Sequence, residues 1–161
     1  MLMMKASVCI EATVNQSWAV LSDLENIVYW AEPVLSTRCT GATKHGMGAE
    51  RVCKLKGNIE IVEKWTAWEE GKSFIYQGYG LPLIRSAKNR WSIEAVDDRT
   101  LLTSESTIEL KGGWLGQLLE PLMKIMSLRM AADSLAAFKY LVENGQPFTG
   151  KFSSLPRVSA I

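Results

Sequence analysis

The chain has 161 residues, of which 47% are hydrophobic and 22% are charged, as expected for a globular protein that forms one domain. The net charge of +1 provides no strong field that would point to nucleic acid or anionic lipid as a partner. One histidine and three widely spaced cysteines lead us to expect no metal site, no cofactor and reduced thiols in a cytoplasmic protein. We also expect no signal peptide and no stable membrane insertion, because the apolar runs are too short.

The first predicted elements are a strand and two short helices. Residues 6–12 alternate between apolar and polar side chains, which predicts the strand. Asn15 is the predicted N-cap of the first helix. The second helix is expected to begin at Asp23 or Leu24 and to reach Trp30, shortly before a proline.

The middle of the chain is predicted to form an antiparallel meander. Turn signals recur every ten to fifteen residues or so, and the runs between them alternate with period two. Gly78 and Gly80 in one of these runs suggest a bend or bulge. The expected strands lie near residues 34–41, 49–56, 59–69, 72–80, 84–96 and 101–110.

A long helix is predicted over residues 114–144, with Gly145 as its C-cap. Pro121 leaves two alternatives, a main helix that starts near Glu120 or a helix that is kinked at the proline. One face is rich in methionine toward its N-terminal end. The residues that define it are Met123, Met126, Met130, Ser134, Ala137 and Leu141. We expect one domain over residues 1–145, followed by a tail, 146–161, that is flexible or loosely docked.

Four stretches of the chain resemble the START-like (SRPBCC) superfamily, close to its polyketide cyclase/dehydrase and lipid-transport group. The first helix pair has Trp, then Leu-Ser-Asp, then Trp before Pro. The other three stretches resemble the family's central hairpin, its strand pair joined by an acidic turn, and the end of its last helix. They cover residues 14–34, 63–76, 88–106 and 134–145. The resemblance implies an α+β helix-grip fold, in which a curved antiparallel sheet of about seven strands wraps around the C-terminal helix. It also implies a cavity for apolar or amphipathic ligands between them.

Period-two alternation nominates residues that face this cavity. Arg51, Glu63 and Asn89 are polar residues on faces that are otherwise apolar. The apolar candidates for ligand contact are Trp65, Phe74, Tyr76 and Trp91 on the strands, and Met123, Met126 and Met130 on the helix. The simpler alternatives stay open: Arg51 and Glu63 form an ion pair without a ligand, Asn89 is a satisfied core amide, and the aromatic residues are core.

Three functions are compatible with these residues. The first is binding or transport of a hydrophobic small molecule of the lipid, quinone or aromatic polyketide type. The alternative is a cyclase or dehydratase that uses Arg51 and Glu63 as catalytic groups in the same cavity. The third is contact with a partner protein through the surface near Trp114 and Ile125. The oligomeric state is left open.

Overall fold

A computed structural model describes all 161 residues except for the side chain of Leu115. One antiparallel sheet and a long helix account for most of the chain. The strands are β1 (Leu2–Ile10), β2 (Val34–Cys39), β3 (Glu50–Leu55), β4 (Ile59–Glu69), β5 (Ser73–Tyr79), β6 (Ile84–Val96), β7 (Arg99–Leu110) and β8 (Ser159–Ala160). The helices are α1 (Val14–Ser22), a 3-10 helix (Leu24–Tyr29), α2 (Trp114–Asn144) and a second 3-10 helix (Phe152–Ser154).

The strands lie in the order β2-β3-β4-β5-β6-β7-β1-β8, and each neighbouring pair is antiparallel. The six strands of the meander are therefore neighbours in chain order, and β1 joins them through β7. α2 packs mainly against β1. The predicted α+β helix-grip fold is confirmed, with eight strands instead of about seven because the C-terminal tail adds β8.

The start of the fold differs from the prediction in two details. β1 begins at Leu2 and ends at Ile10, because every second residue from Leu2 onward is buried. The N-cap of α1 is Thr13, and the prediction of Asn15 was wrong. The Gln16 N–H donates to the Thr13 hydroxyl at 3.2 Å, and the Thr13 N–H donates to Gln16 Oε1 at 3.0 Å. This reciprocal pair satisfies two backbone N–H groups at the helix start.

α2 has two halves with different surroundings. Residues 134–138 are buried, and the Phe138 ring meets the Trp30 ring edge-to-face at 5.3 Å. By contrast, most residues before Ser127 are exposed. Pro121 lies inside the helix, so a start near Glu120 was wrong. Among the described residues, no helix is both long and apolar enough to cross a membrane.

Gly145 ends α2 as predicted. Its φ of 69° is in the left-handed region that glycine adopts without strain, and its N–H donates to the Leu141 carbonyl at 2.9 Å. The residues after it return to the sheet. Phe148 contacts Tyr140 with ring centroids 5.1 Å apart, and β8 pairs with β1. The tail thus contains regular structure where its sequence shows no period.

Candidate functional site

A cavity of about 240 Å³ lies between the sheet, the first 3-10 helix and the middle of α2. Its floor consists of inward side chains that are paired across the sheet. Tyr76, Asn89, Ser106 and Met4 are consecutive partners across β5, β6, β7 and β1. All four line the cavity, as do Trp91, Ser104 and Ala6 in the adjacent row. These two rows contain aromatic rings, hydroxyl groups and one amide. The floor of the cavity is therefore mostly apolar, with a few polar side chains.

Ser104 and Ser106 were missed as cavity residues by the sequence reasoning. They lie on the inward face of β7 with Leu102 and Ile108, at alternate positions. Applying the period-two argument to β7, as it was applied to β3 through β6, would have found them.

The side-chain amide of Asn89 has a hydrogen-bond partner for its oxygen but not for its nitrogen among the described residues. The Ser106 hydroxyl donates a hydrogen bond to Asn89 Oδ1. Within the described part of the chain, no acceptor is hydrogen-bonded to the Asn89 amide nitrogen, although Asn89 lines the cavity. That nitrogen can therefore donate to a molecule in the cavity.

Arg51 and Glu63 are opposite each other on β3 and β4 and form a buried ion pair. Arg51 Nη2 and Nε lie 2.6 Å and 2.8 Å from Glu63 Oε2, and Nη1 donates to the Leu24 carbonyl at 2.5 Å. The guanidinium carbon also lies 4.9 Å from the centre of the Trp65 ring. The Cys53 thiol approaches the same Oε2 at 3.6 Å. Glu63 Oε1 receives no hydrogen bond from the side chains and backbone that the structure describes, and Glu63 lines the cavity.

The ionisation of the neighbouring groups follows from this burial. Burial opposes the charged form of Arg51, but the Glu63 carboxylate and other neighbours outweigh it, so the pKa of Arg51 is raised. Burial, reinforced by the Glu63 charge, raises the pKa of the Cys53 thiol to about 11. The same two causes, in the same order, raise the pKa of Tyr76. Cys53 and Tyr76 are therefore neutral at physiological pH, and Tyr76 keeps its phenolic proton.

The candidate site residues from the sequence separate into two groups. Those that line the cavity are Glu63, Tyr76, Asn89, Trp91 and Met130. The others lie elsewhere. Arg51 contacts Glu63 but does not itself line the cavity. Trp65 and Phe74 are buried in the aromatic core that continues from Tyr76. Met123 and Met126 lie on α2 before the residues that line the cavity.

Two further features bear on the chemistry of the site. The indole N–H groups of Trp30 and Trp65 are buried and have no partner among the described residues. Trp30 lines the cavity, whereas Trp65 does not. Within the same described residues, no three His, Cys, Asp or Glu side chains come together as potential metal ligands. The site therefore offers hydrogen-bonding groups set in apolar walls, which is the composition of a small-molecule pocket.

Comparison with known proteins agrees with the resemblance seen in the sequence. Residues 1–143 match the family described as polyketide cyclase / dehydrase and lipid transport. A search of curated protein sequences found no match.

Several solved structures are similar to this chain. A START superfamily protein from Mycobacterium smegmatis has a TM-score of 0.70 at 16% identity, with 89% of this chain and 99% of that chain covered. A protein from Thermus thermophilus has a TM-score of 0.74 at 16% identity, with 89% and 99% covered. DynU16, a protein of the dynemicin biosynthetic locus, has a TM-score of 0.66 at 14% identity, with 90% of this chain and 48% of that chain covered. At these identities the likeness shows the fold.

Proposed function

Because the chain belongs to the polyketide cyclase/dehydrase and lipid-transport family, we propose that it binds a hydrophobic small molecule between the sheet and α2. The observation that carries the proposal is the position of Glu63. Both guanidinium bonds converge on Oε2, so Oε1 is left as an acceptor at the wall of an apolar cavity. An unpaired acceptor in such a wall favours a ligand that donates a hydrogen bond to it.

The free groups restrict the chemical class of the ligand. Glu63 Oε1 accepts, the Asn89 amide nitrogen donates, and the Tyr76 hydroxyl keeps a proton that it can donate. Of the lipid, quinone and aromatic polyketide types that we expect, this set favours members with a hydroxyl or phenol at one end. A sterol-like lipid, a quinol or a phenolic polyketide fits this description. The three unpaired cysteines support a cytoplasmic location for this binding.

The test compares two probes that differ in one hydrogen-bond donor, 2-naphthol and 2-methoxynaphthalene. We expect 2-naphthol to bind at least tenfold more tightly, as measured by fluorescence titration and by the rise in melting temperature. The variant Arg51→Met/Glu63→Leu removes the acceptor without leaving either charge buried alone. It should bind both probes with similar affinity. Equal binding of the two probes by the unsubstituted protein would refute the role of Glu63.

The free carboxylate oxygen also favours a second candidate, an enzyme of the cyclase or dehydratase type. In that case Glu63 Oε1 takes a proton from carbon beside a carbonyl that Tyr76 or Asn89 orients. The probe is 2-acetylnaphthalene in D₂O, because proton abstraction would exchange its methyl protons for deuterium. Protein-dependent exchange that is lost in Glu63→Gln would support an enzyme. No exchange above the buffer rate would argue against the enzyme and leave ligand binding as the proposed function.

A further inference from the structure

The first half of α2 has an apolar stripe on the side that faces away from the sheet. Trp114, Leu118, Leu122 and Ile125, here called the docking stripe, are between 51% and 70% exposed. At about 100° per residue these four lie within an arc of about 80° on the helix. Ser127, which lines the cavity, lies on the opposite side of the helix from that arc. A surface helix normally has its apolar arc toward the core, whereas this half of α2 also has one on its outer side.

The docking stripe leads to the mouth of the cavity. Met126 is exposed beside it, and Met130, one turn further along, is partly exposed and also lines the cavity. The turn between β5 and β6 supplies a second apolar edge. There Leu81 lines the cavity, and Leu83 is exposed with a φ of 62°, an uncommon value for a leucine. The Lys111 N–H donates to the Leu83 carbonyl at 2.8 Å, which joins this turn to the segment between β7 and α2.

The exposed charges near the docking stripe that have no ion-pair partner among the described residues are basic. Lys111, Lys124 and Arg129 are exposed, and none forms an ion pair with another described residue. Glu120, the acidic residue in the first half of α2, forms an ion pair with the N-terminal ammonium of Met1 at 2.7 Å. The net charge of +1 describes the whole chain, whereas this surface is locally basic. Leucine and tryptophan flanked by lysine and arginine are typical of a helix that lies in a membrane interface.

We infer that the docking stripe binds the surface of a bilayer that contains anionic lipid, with α2 lying in the headgroup region. In this orientation Met126, Met130 and Leu83 lie at the interface, and the cavity mouth is beside the acyl chains. A second copy of the chain fits less well, because a symmetric contact would bring the same exposed cations together. The helix lies on the membrane and does not cross it.

Vesicle co-sedimentation tests the inference, with the full chain at low salt. The vesicles are an equimolar mixture of phosphatidylcholine and phosphatidylglycerol, with pure phosphatidylcholine for comparison. We expect binding to the mixed vesicles that weakens at high salt. Leu118→Gln/Leu122→Gln should reduce the partition coefficient at least tenfold, since both side chains are exposed and the substitution leaves the core intact. Met47→Gln is the matched control, because Met47 is equally exposed but lies between β2 and β3.

Three outcomes would overturn the inference. The first is no binding of the unsubstituted protein to either vesicle. The second is binding that Leu118→Gln/Leu122→Gln leaves unchanged. The third is a dimer, seen by analytical ultracentrifugation, that the double variant dissociates while vesicles bind neither protein. Vesicle binding does not require an occupied cavity, so failure here would leave the probe titrations at Glu63 unaffected.

Discussion

The Arg51 guanidinium and the Glu63 carboxylate meet at 2.6 Å within the sheet, where their side chains are only 3% and 6% exposed. The contact uses one carboxylate oxygen and leaves the other at the cavity wall. This residue pair therefore has two consequences. Each charge depends strongly on the other for its stability, and one carboxylate oxygen remains as an acceptor at the cavity.

The first prediction concerns the stability of this pair. Glu63→Leu should lower the free energy of unfolding by about 3–5 kcal/mol, because it leaves the Arg51 cation buried without its partner. Arg51→Met/Glu63→Leu should recover most of that loss, since no isolated charge remains. Urea unfolding followed by circular dichroism measures both. As a control, Glu69→Gln, which breaks the exposed contact of Glu69 with Lys72 at 2.6 Å, should leave the unfolding midpoint unchanged. A single variant as stable as the double variant would contradict this account.

The second prediction concerns Glu70 and acid. Its carboxylate accepts hydrogen bonds from the indoles of Trp68 at 2.7 Å and Trp18 at 2.6 Å, and His45 lies 2.9 Å away. In that order, these contacts lower the pKa of Glu70 from 4.5 to about 2. Since the folded pKa is below the unfolded one, the stabilisation is fully present above about pH 4.5 and is lost as the pH falls toward 2.

The measurement is the melting temperature of the protein and of Glu70→Gln between about pH 7 and pH 2. The two proteins should differ at neutral pH and converge as the pH falls below 4.5, the unfolded value. The expected difference in melting temperature is modest, because Glu70 is largely exposed and solvent screens its charge. A difference that stays constant over the whole range would show that the carboxylate charge has no part in it.

The third prediction concerns the start of α1. Thr13→Ala should lower the free energy of unfolding by about 1 kcal/mol, because it removes the side chain that accepts from the Gln16 N–H. Asn15→Ala is the control at a nearby exposed position inside the helix, and it should be nearly neutral. Thermal unfolding of both variants distinguishes the two residues. The reverse order of effects would make Asn15 the cap.

The fourth prediction concerns the two halves of α2. Phe138→Ala should cost about 3–5 kcal/mol, because the ring is fully buried and packs against Trp30. Met126→Ala, on the exposed half, should change stability by less than about 0.5 kcal/mol. Urea unfolding of the two variants tests this directly. A large loss at Met126 would mean that the first half of α2 is covered in the free protein.

Strand alternation was the most informative signal in the sequence. It predicted the inward faces of β3 and β4 with Arg51 and Glu63, and both residues are buried. Period two reports the face of a strand but not the depth at which a side chain ends. For this reason it could not show that Glu63 reaches the cavity while Arg51 lies behind it. That distinction depends on how the side chains of several elements fill the space above the sheet.

Helical periodicity was less informative for the cavity. The predicted methionine face assumes that the sheet lies under the full length of α2. Among the α2 side chains that the structure describes, those that line the cavity begin at Ser127, so Met123 and Met126 lie outside it. The cap of α1 could have been read from the sequence, because Thr13 is followed three residues later by Gln16, as in a capping box. Both Thr13 and Asn15 suit an N-cap, and only this spacing distinguishes them.

The position of β8 affects where the protein can be shortened. The family match ends at residue 143, yet the outer edge of β1 is covered by the last three residues of the chain. Lys5 and Ile161 exchange two backbone hydrogen bonds, at 2.7 Å and 2.8 Å. A version truncated at the family boundary would keep the cavity residues but expose the backbone groups of β1 from Lys5 to Ser7. Such an uncovered edge can pair with the same edge of another molecule, so the truncated protein should aggregate more readily than the full chain.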